Sequence, residues 1–165
     1  MLRHQITPLK DFPRLTPCAA RLAELLCQKL PEILVTGQIK AIVLKHEDSK
    51  EELDLIATAP AGKLILHLLT SRDGVEIRYQ EKNRSGRATA VFAMHPLNFH
   101  RTCEAAVDFI EKIAQGQIIV ARERKRAFPL LGPKRLRFFD VGELVGARAS
   151  SIEQVYRWHE LHIDK

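Results

Sequence analysis

The sequence predicts an α+β fold: an antiparallel sheet of five to seven strands with two or three helices packed on one face. Three observations predict it. Two segments, near residues 15–30 and 102–115, carry apolar residues at the helical period and have capping residues at their ends. Residues 53–94 between them alternate apolar with polar positions and are broken by turn-forming pairs. A further apolar run follows the second helix directly. A length of 165 residues with 45% apolar and 28% charged side chains fits one domain, 1–165, around one core.

Residues 1–14, with Pro8 and Pro13, read as an N-terminal arm. Thr16-Pro17 opens the first helix, threonine as N-cap and proline at the first helical position, where its missing N–H is not needed. Leu15, Ala19, Leu22, Leu25, Leu26 and Leu30 follow the helical period, and Pro31 closes the segment. Ile39–Lys45 is apolar on both faces and suits a central strand. Leu53–Thr58 is a second strand, and Pro60-Ala61-Gly62 turns the chain into Lys63–Thr70. Ser71-Arg72-Asp73-Gly74 signals a hairpin. Val75, Ile77 and Tyr79 then alternate with Glu76, Arg78 and Gln80, the pattern of a sheet with one wet face. Asn83-Arg84-Ser85-Gly86 turns into Ala88–Met94, and Pro96 ends the sheet.

The second helix runs from Thr102 to Gln115 with Cys103, Ala106, Val107, Ile110 and Ile113 inward, and Gly116 caps it. Gln117–Arg124 is a strand. Arg135–Asp140 reads as a strand or a helix entry. The segment 138–165 is predicted to be helical, with a last helix over Ser151–His159.

Composition excludes some classes of function. The uninterrupted apolar run Ala90–Met94 is far shorter than the roughly 20 residues a membrane span needs. Arg3 and His4 have no apolar stretch behind them, so no signal peptide is expected. The three cysteines, Cys18, Cys27 and Cys103, show no CxxC spacing, and Cys18 and Cys27 fall on one predicted helix. Reduced thiols and a cytoplasmic location are the expectation.

The charge is concentrated in one place. Residues 122–137 hold seven bases (Arg122, Arg124, Lys125, Arg126, Lys134, Arg135, Arg137) and one acid, a net +6. The whole chain is also +6, so the other residues balance nineteen bases with nineteen acids. Such a tract points to a local anionic partner, nucleic acid or an acidic protein, and predicts a contact surface. Its middle, Phe128-Pro129-Leu130-Leu131-Gly132-Pro133, adds an apolar insert that is unfavourable in water without a use. Phe128 is an expected contact of this surface, and Trp158 is the expected aromatic anchor, since interface anchors favour Trp and Arg.

Other constellations carry less. Glu104, Asp108 and Glu111 share one face of the second helix and read as a solvated stripe. Glu47, Asp48, Glu51, Glu52 and Asp54 form an acidic cluster read as a loop. His100 and Cys103, and His159 and His162, are spaced three apart, but neither pair gathers the three or four ligands zinc takes. No nucleotide-binding, serine-hydrolase or metalloprotease motif is present, so no catalytic residue, metal or cofactor is expected. Within 138–158, the glycines Gly142 and Gly146 and the apolar Val141, Val145, Ile152 and Val155 fit a helix-turn-helix. Ser150, Ser151, Gln154 and Arg157 would then face out from its reading helix.

The stretch Pro96–Ala121, PLNFHRTCEAAVDFIEKIAQGQIIVA, resembles a pattern in small bacterial proteins that include immunity proteins of polymorphic toxin systems. There a hairpin-rich sheet leads into a helix of the form F-x(n)-A-x-x-F-I-E-x-I and then into an I-V-V strand. The resemblance covers residues 96–121. It implies a non-enzymatic cytoplasmic inhibitor that occludes one cognate toxin domain. The chain departs from that pattern in charge: inhibitors of basic nuclease toxins tend to be acidic. The resulting expectation is a binding protein, immunity-type, using Arg122, Arg124, Lys125, Arg126, Phe128, Lys134, Arg135, Arg137 and Trp158. The alternative is a nucleic-acid-binding protein using the same tract and the helix-turn-helix.

Overall fold

The computed structural model describes residues 15–32, 40–41, 44–45, 51–84, 86–123, 135–144 and 152–159. Helix α1 (Pro17–Lys29) starts at the Thr16-Pro17 pair, where Thr16 Oγ1 accepts from the Ala19 N–H at 3.3 Å. It buries Cys18, Ala19, Leu22, Ala23, Leu25 and Leu26. Helix α2 (Phe99–Ala114) buries Thr102, Cys103, Ala106, Val107, Ile110 and Ile113. Gly116, at φ +75°, takes the left-handed conformation that ends a helix and favours glycine. Thr102 ties α2 to the strand before it, donating to the Ala93 carbonyl at 3.2 Å and accepting from the His95 N–H at 3.1 Å.

The strands are β1 (Lys40–Ala41), β2 (Leu44–Lys45), β3 (Glu51–Glu52), β4 (Asp54–Thr58), β5 (Leu64–Ser71), β6 (Gly74–Glu81), β7 (Arg87–Ala93), β8 (Ile118–Glu123), β9 (Arg135–Asp140) and β10 (Ile152–Tyr156), with a single-turn helix α3 at Val141–Leu144. The main sheet has the order β1-β4-β5-β6-β7 and is antiparallel throughout. Ser71 pairs with Gly74, which leaves Arg72-Asp73 as the hairpin turn. Gly74 lies at φ +146°, and a Cβ there would collide with the Phe92 carbonyl oxygen, so the strand crossing requires glycine.

The period-two pattern sets the layers. Leu53, Leu55 and Ala57, then Leu64, Leu66 and Leu68, then Val75, Ile77 and Tyr79 all point inward and are fully buried. Helix α1 packs on α2, and α2 lies against β6, β7 and β8. On the opposite face the polar side chains pair with each other, His67 with Asp54 and Arg78 with Glu76, both at 2.5 Å. The Glu76 carboxyl is held below its ordinary value by its hydrogen bond to Arg78.

The class is α+β as expected, but the strands divide differently. A second antiparallel sheet has the order β10-β8-β9, and β2 pairs with β3 as a two-stranded ladder. The C-terminal segment is also not the expected helical one. Residues 152–156 form a strand where a helix was expected, and 135–140 form another, one of the two readings expected there. The cause lies in β8, whose Ile119, Val120, Ala121 and Arg122 are all buried. A strand buried on both faces needs its backbone groups satisfied along both edges. β9 covers one edge and β10 the other. The spacing of Ile152, Val155 and Trp158 fits a helix, yet Val155 is 42% exposed while Tyr156 and Trp158 are buried, a period of two. Ser150 and Ser151 of the expected reading helix lie outside the described residues. Gln154 sits on a strand and Arg157 just beyond it, so neither occupies a helix face.

Trp158 is 2% exposed and meets Tyr79 edge-on at 5.9 Å, so it belongs to the core and not to a contact surface. It is the chain's single tryptophan. Its fluorescence should therefore be blue-shifted and barely quenched by acrylamide until urea unfolds the protein. A red, readily quenched emission from the native state would return this residue to the surface.

Candidate functional site

Three strands from two sheets bring one polar cluster together. β6 ends at Glu81, β8 carries Arg122, and β10 carries Tyr156. Arg122 donates to Glu81 Oε1 through Nε at 3.1 Å and also through Nη2. Arg122 Nη2 approaches the Tyr156 hydroxyl at 3.2 Å, and that hydroxyl donates to the same carboxylate oxygen. The side chains of Arg122 and Glu81 are 6% and 3% exposed. Gly86 makes room for the carboxylate: a Cβ there would lie 3.0 Å from Glu81 Oε2 and 3.3 Å from Leu136 Cγ. The hydrogen bond to Glu81 holds the Arg122 guanidinium above its ordinary value against the opposing effect of burial. Burial first, and the bond to Glu81 second, push the Tyr156 hydroxyl up to about 12.

Above this cluster opens a cleft of about 210 Å³, walled by Lys63 after the β4–β5 turn, by Lys82, Asn83 and Arg84 in the β6–β7 turn, and by Gln154 and Tyr156. The two turns are joined by the Lys82 N–H donating to the Lys63 carbonyl at 2.9 Å. Asn83 holds the tight turn at φ 69°, a left-handed conformation asparagine tolerates. Lys63, Lys82 and Arg84 are exposed. None of the three has an ion-pair partner among the described residues. The acid beneath them is already bound to Arg122 and Tyr156, so the mouth of the cleft is cationic. Three cations flanked by two amides present donors to a carboxylate or phosphate group.

The basic tract springs from beside this cleft. Gln154 pairs with Arg122, and Glu123 pairs with Arg135 where the tract leaves β8 and re-enters β9. Arg124, Lys125, Arg126, Phe128 and Lys134 lie outside the described residues. Arg137 is exposed on β9 and bonds Glu123 at 3.0 Å. Arg122 is the correction within this set. It faces inward as the partner of a buried carboxylate and is unavailable to an external one.

The other constellations resolve into structure. Glu104 and Asp108 face α1, approaching Arg21 at 3.8 Å and Lys29 at 2.6 Å, while Glu111 accepts from Gln115 at 3.2 Å. Glu52, expected in an acidic loop, is 5% exposed and accepts from Thr16 at 3.1 Å and Thr70 at 2.6 Å. Glu47 and Asp48 lie outside the described residues. His100 stacks on Phe99 at the surface while Cys103 points into the core, so the two diverge. Among the described residues no three His, Cys, Asp or Glu side chains converge on a point.

Sequence reasoning missed Glu81, Tyr156, Lys63, Lys82 and Arg84. A signal for Glu81 was present: Val75, Ile77, Tyr79 and Glu81 share one register, so a carboxylate stands where the alternation demands an apolar residue. Arg122 continues the apolar run Ile118–Ala121 in the same way. No family model, curated protein or solved structure matches this chain.

Two expectations follow for the buried cluster. Replacing Arg122 by Met removes the guanidinium and strands the Glu81 carboxylate, which should cost about 3–5 kcal/mol in urea unfolding. Arg122→Met combined with Glu81→Leu should recover much of that loss. The tyrosines set an alkaline limit. Burial also raises Tyr79. A phenol kept neutral by the fold stabilises it fully below about pH 10, the unfolded value, and this is lost as pH climbs toward the folded value. A tyrosinate-absorbance titration should show neither of the two tyrosines ionising near pH 10 in the folded protein. Normal ionisation of either one there would contradict its placement.

Proposed function

We propose that this chain is a non-enzymatic binding protein, an immunity-type inhibitor that occludes an acidic face of one cognate toxin domain. One observation carries the reading: Lys63, Lys82 and Arg84 surround a single cleft, at the root of the basic tract, without carboxylate partners among the described residues. Exposed cations ordinarily scatter among acids, as Arg137 does with Glu123. Three left unpaired at one cleft are electrostatically complementary to an anionic partner. The contact surface in this reading is the cleft together with Arg124, Lys125, Arg126, Phe128, Lys134, Arg135 and Arg137. Arg122 and Trp158 support it from beneath.

Occlusion asks for complementary shape and charge and needs no activated group. The polar groups of the cleft floor fit that requirement, since Glu81 is bonded to Arg122 and Tyr156 and is no free base. No helix among the described residues is long and apolar enough to cross a membrane. A cytoplasmic place of action is part of this proposal. The same unpaired cations favour a second reading, nucleic-acid binding through phosphates. It now rests on charge alone, because residues 152–156 form a strand where a reading helix was expected.

Fluorescence anisotropy with two labelled probes, an acidic peptide rich in glutamate and a DNA duplex, separates the two. The inhibitor reading expects peptide binding that weakens by about tenfold or more in Lys63→Glu/Arg84→Glu, is tighter than binding to DNA, and loses less affinity with salt than DNA binding would. The nucleic-acid reading expects tighter binding to DNA, falling by roughly a thousandfold or more between about 50 and 200 mM salt. Binding of neither probe, in wild type and variant alike, would remove the cationic site as a functional surface.

A further inference from the structure

Two cysteines 85 positions apart in the chain meet in the core, with Cys18 Sγ and Cys103 Sγ 3.4 Å apart. Cys18 lies in the first turn of α1 and Cys103 in the second turn of α2, so their contact is a contact between the two helices. Cys18 is 6% exposed and Cys103 fully buried. Cys103 Sγ also donates to the Cys18 carbonyl at 3.5 Å. Cys27, on the outer side of α1, is exposed and lies apart from this pair.

We propose that Cys18 and Cys103 are a redox-responsive pair, which a peroxide oxidant converts to a disulfide fastening α1 to α2. The sulfurs already touch, and bonding needs their separation to fall from 3.4 Å to about 2.0 Å. The helices that carry them are packed together and hold the two side chains face to face. The loop so closed contains every strand from β1 to β7, the whole of the main sheet.

The two sulfurs differ in their surroundings. The Cys18 S–H beside it favours the thiolate of Cys103, and the Arg21 cation adds to that, while burial and Glu104 oppose it. Cys18 is pushed up by its contact with Cys103, by burial and by Glu52. In this proposal Cys103 acts as the first nucleophile and Cys18 as the resolving thiol. The Cys103 thiolate attacks one peroxide oxygen, the O–O bond breaks, and hydroxide leaves and takes a proton to become water. Cys18 then attacks the sulfenic sulfur, the S–O bond breaks, and the oxygen leaves as a second water with the Cys18 proton. Two thiols lose two protons and two electrons, and one peroxide becomes two waters.

The test uses the full chain with Cys27→Ser, which leaves only the pair. Native protein is treated with hydrogen peroxide, then acid-quenched, alkylated and digested without reductant. The expected result is a monomer about 2 Da lighter with no free thiol, a linked Cys18–Cys103 peptide, and a thermal midpoint higher on the order of 10 °C. Dithiothreitol reverses all of it. In Cys18→Ser on the same background, Cys103 should stop at a dimedone-trapped sulfenic acid with no rise in midpoint. If that variant fails to fold, the linked peptide from the Cys27→Ser protein still decides. Two free thiols after peroxide, a Cys103 sulfinic acid with no linked peptide, or a disulfide only between separate chains would each overturn the proposal.

Discussion

The two sheets meet at a charge that neither could bury alone. Glu81 ends the inward register of β6 and would be stranded in the core without Arg122 from β8 and Tyr156 from β10. A buried ion pair contributes little net stability against a well-packed apolar alternative. Its penalty when mispaired is large, so its effect is on geometry: only one placement of the small sheet satisfies the carboxylate. Gly86 belongs to the same constraint, because any larger residue presses on the carboxylate. The edge-on contacts of Tyr79 with Phe138 and Trp158 then fill the space beside it.

The helical layer rests on the opposite side of the same core. Apolar packing supplies its stability, since the inward residues of α1 and α2 are almost fully buried. The pairs Arg21–Glu104, with Arg21 half-buried, and Lys29–Asp108 line the joint between the helices but, being open to water on the acid side, contribute little. Glu52 is treated differently. It is buried near the start of α1, where Thr16 and Thr70 donate to it and the positive end of the helix favours a carboxylate. The cysteine pair lies a few residues further into the same joint, so covalent chemistry there would act on how α1 is held.

Function, in this reading, follows from which cations are left over. Charge counting weights all seven bases of residues 122–137 alike. Folding does not: Arg122 is spent on an internal carboxylate and Arg137 on Glu123, while Lys63, Lys82 and Arg84 have no ion-pair partner among the described residues. Among the described residues, exposed cations gather at the turns of the main sheet, which no run of basic residues announces. A cleft built from two tight turns and the rim of a strand is small, and in the proposed function it takes a single anionic group.

Elements whose signals are local were legible in the chain alone. Thr16-Pro17 and Gly116 bound the helices, Arg72-Asp73 forms the hairpin, and the alternation through Val75, Ile77 and Tyr79 sets the wet and dry faces. Those features depend on near neighbours and on a period that one chain segment carries alone. Tertiary structure decided the fate of Ile152–Tyr156, because a short apolar segment that suits either period becomes a strand when a buried strand lacks an edge partner. It decided likewise that Trp158 is core, that Arg122 is internal, and that Cys18 meets Cys103. Each of these depends on a residue far off in sequence, and burial and pairing are properties of the partner as much as of the residue itself.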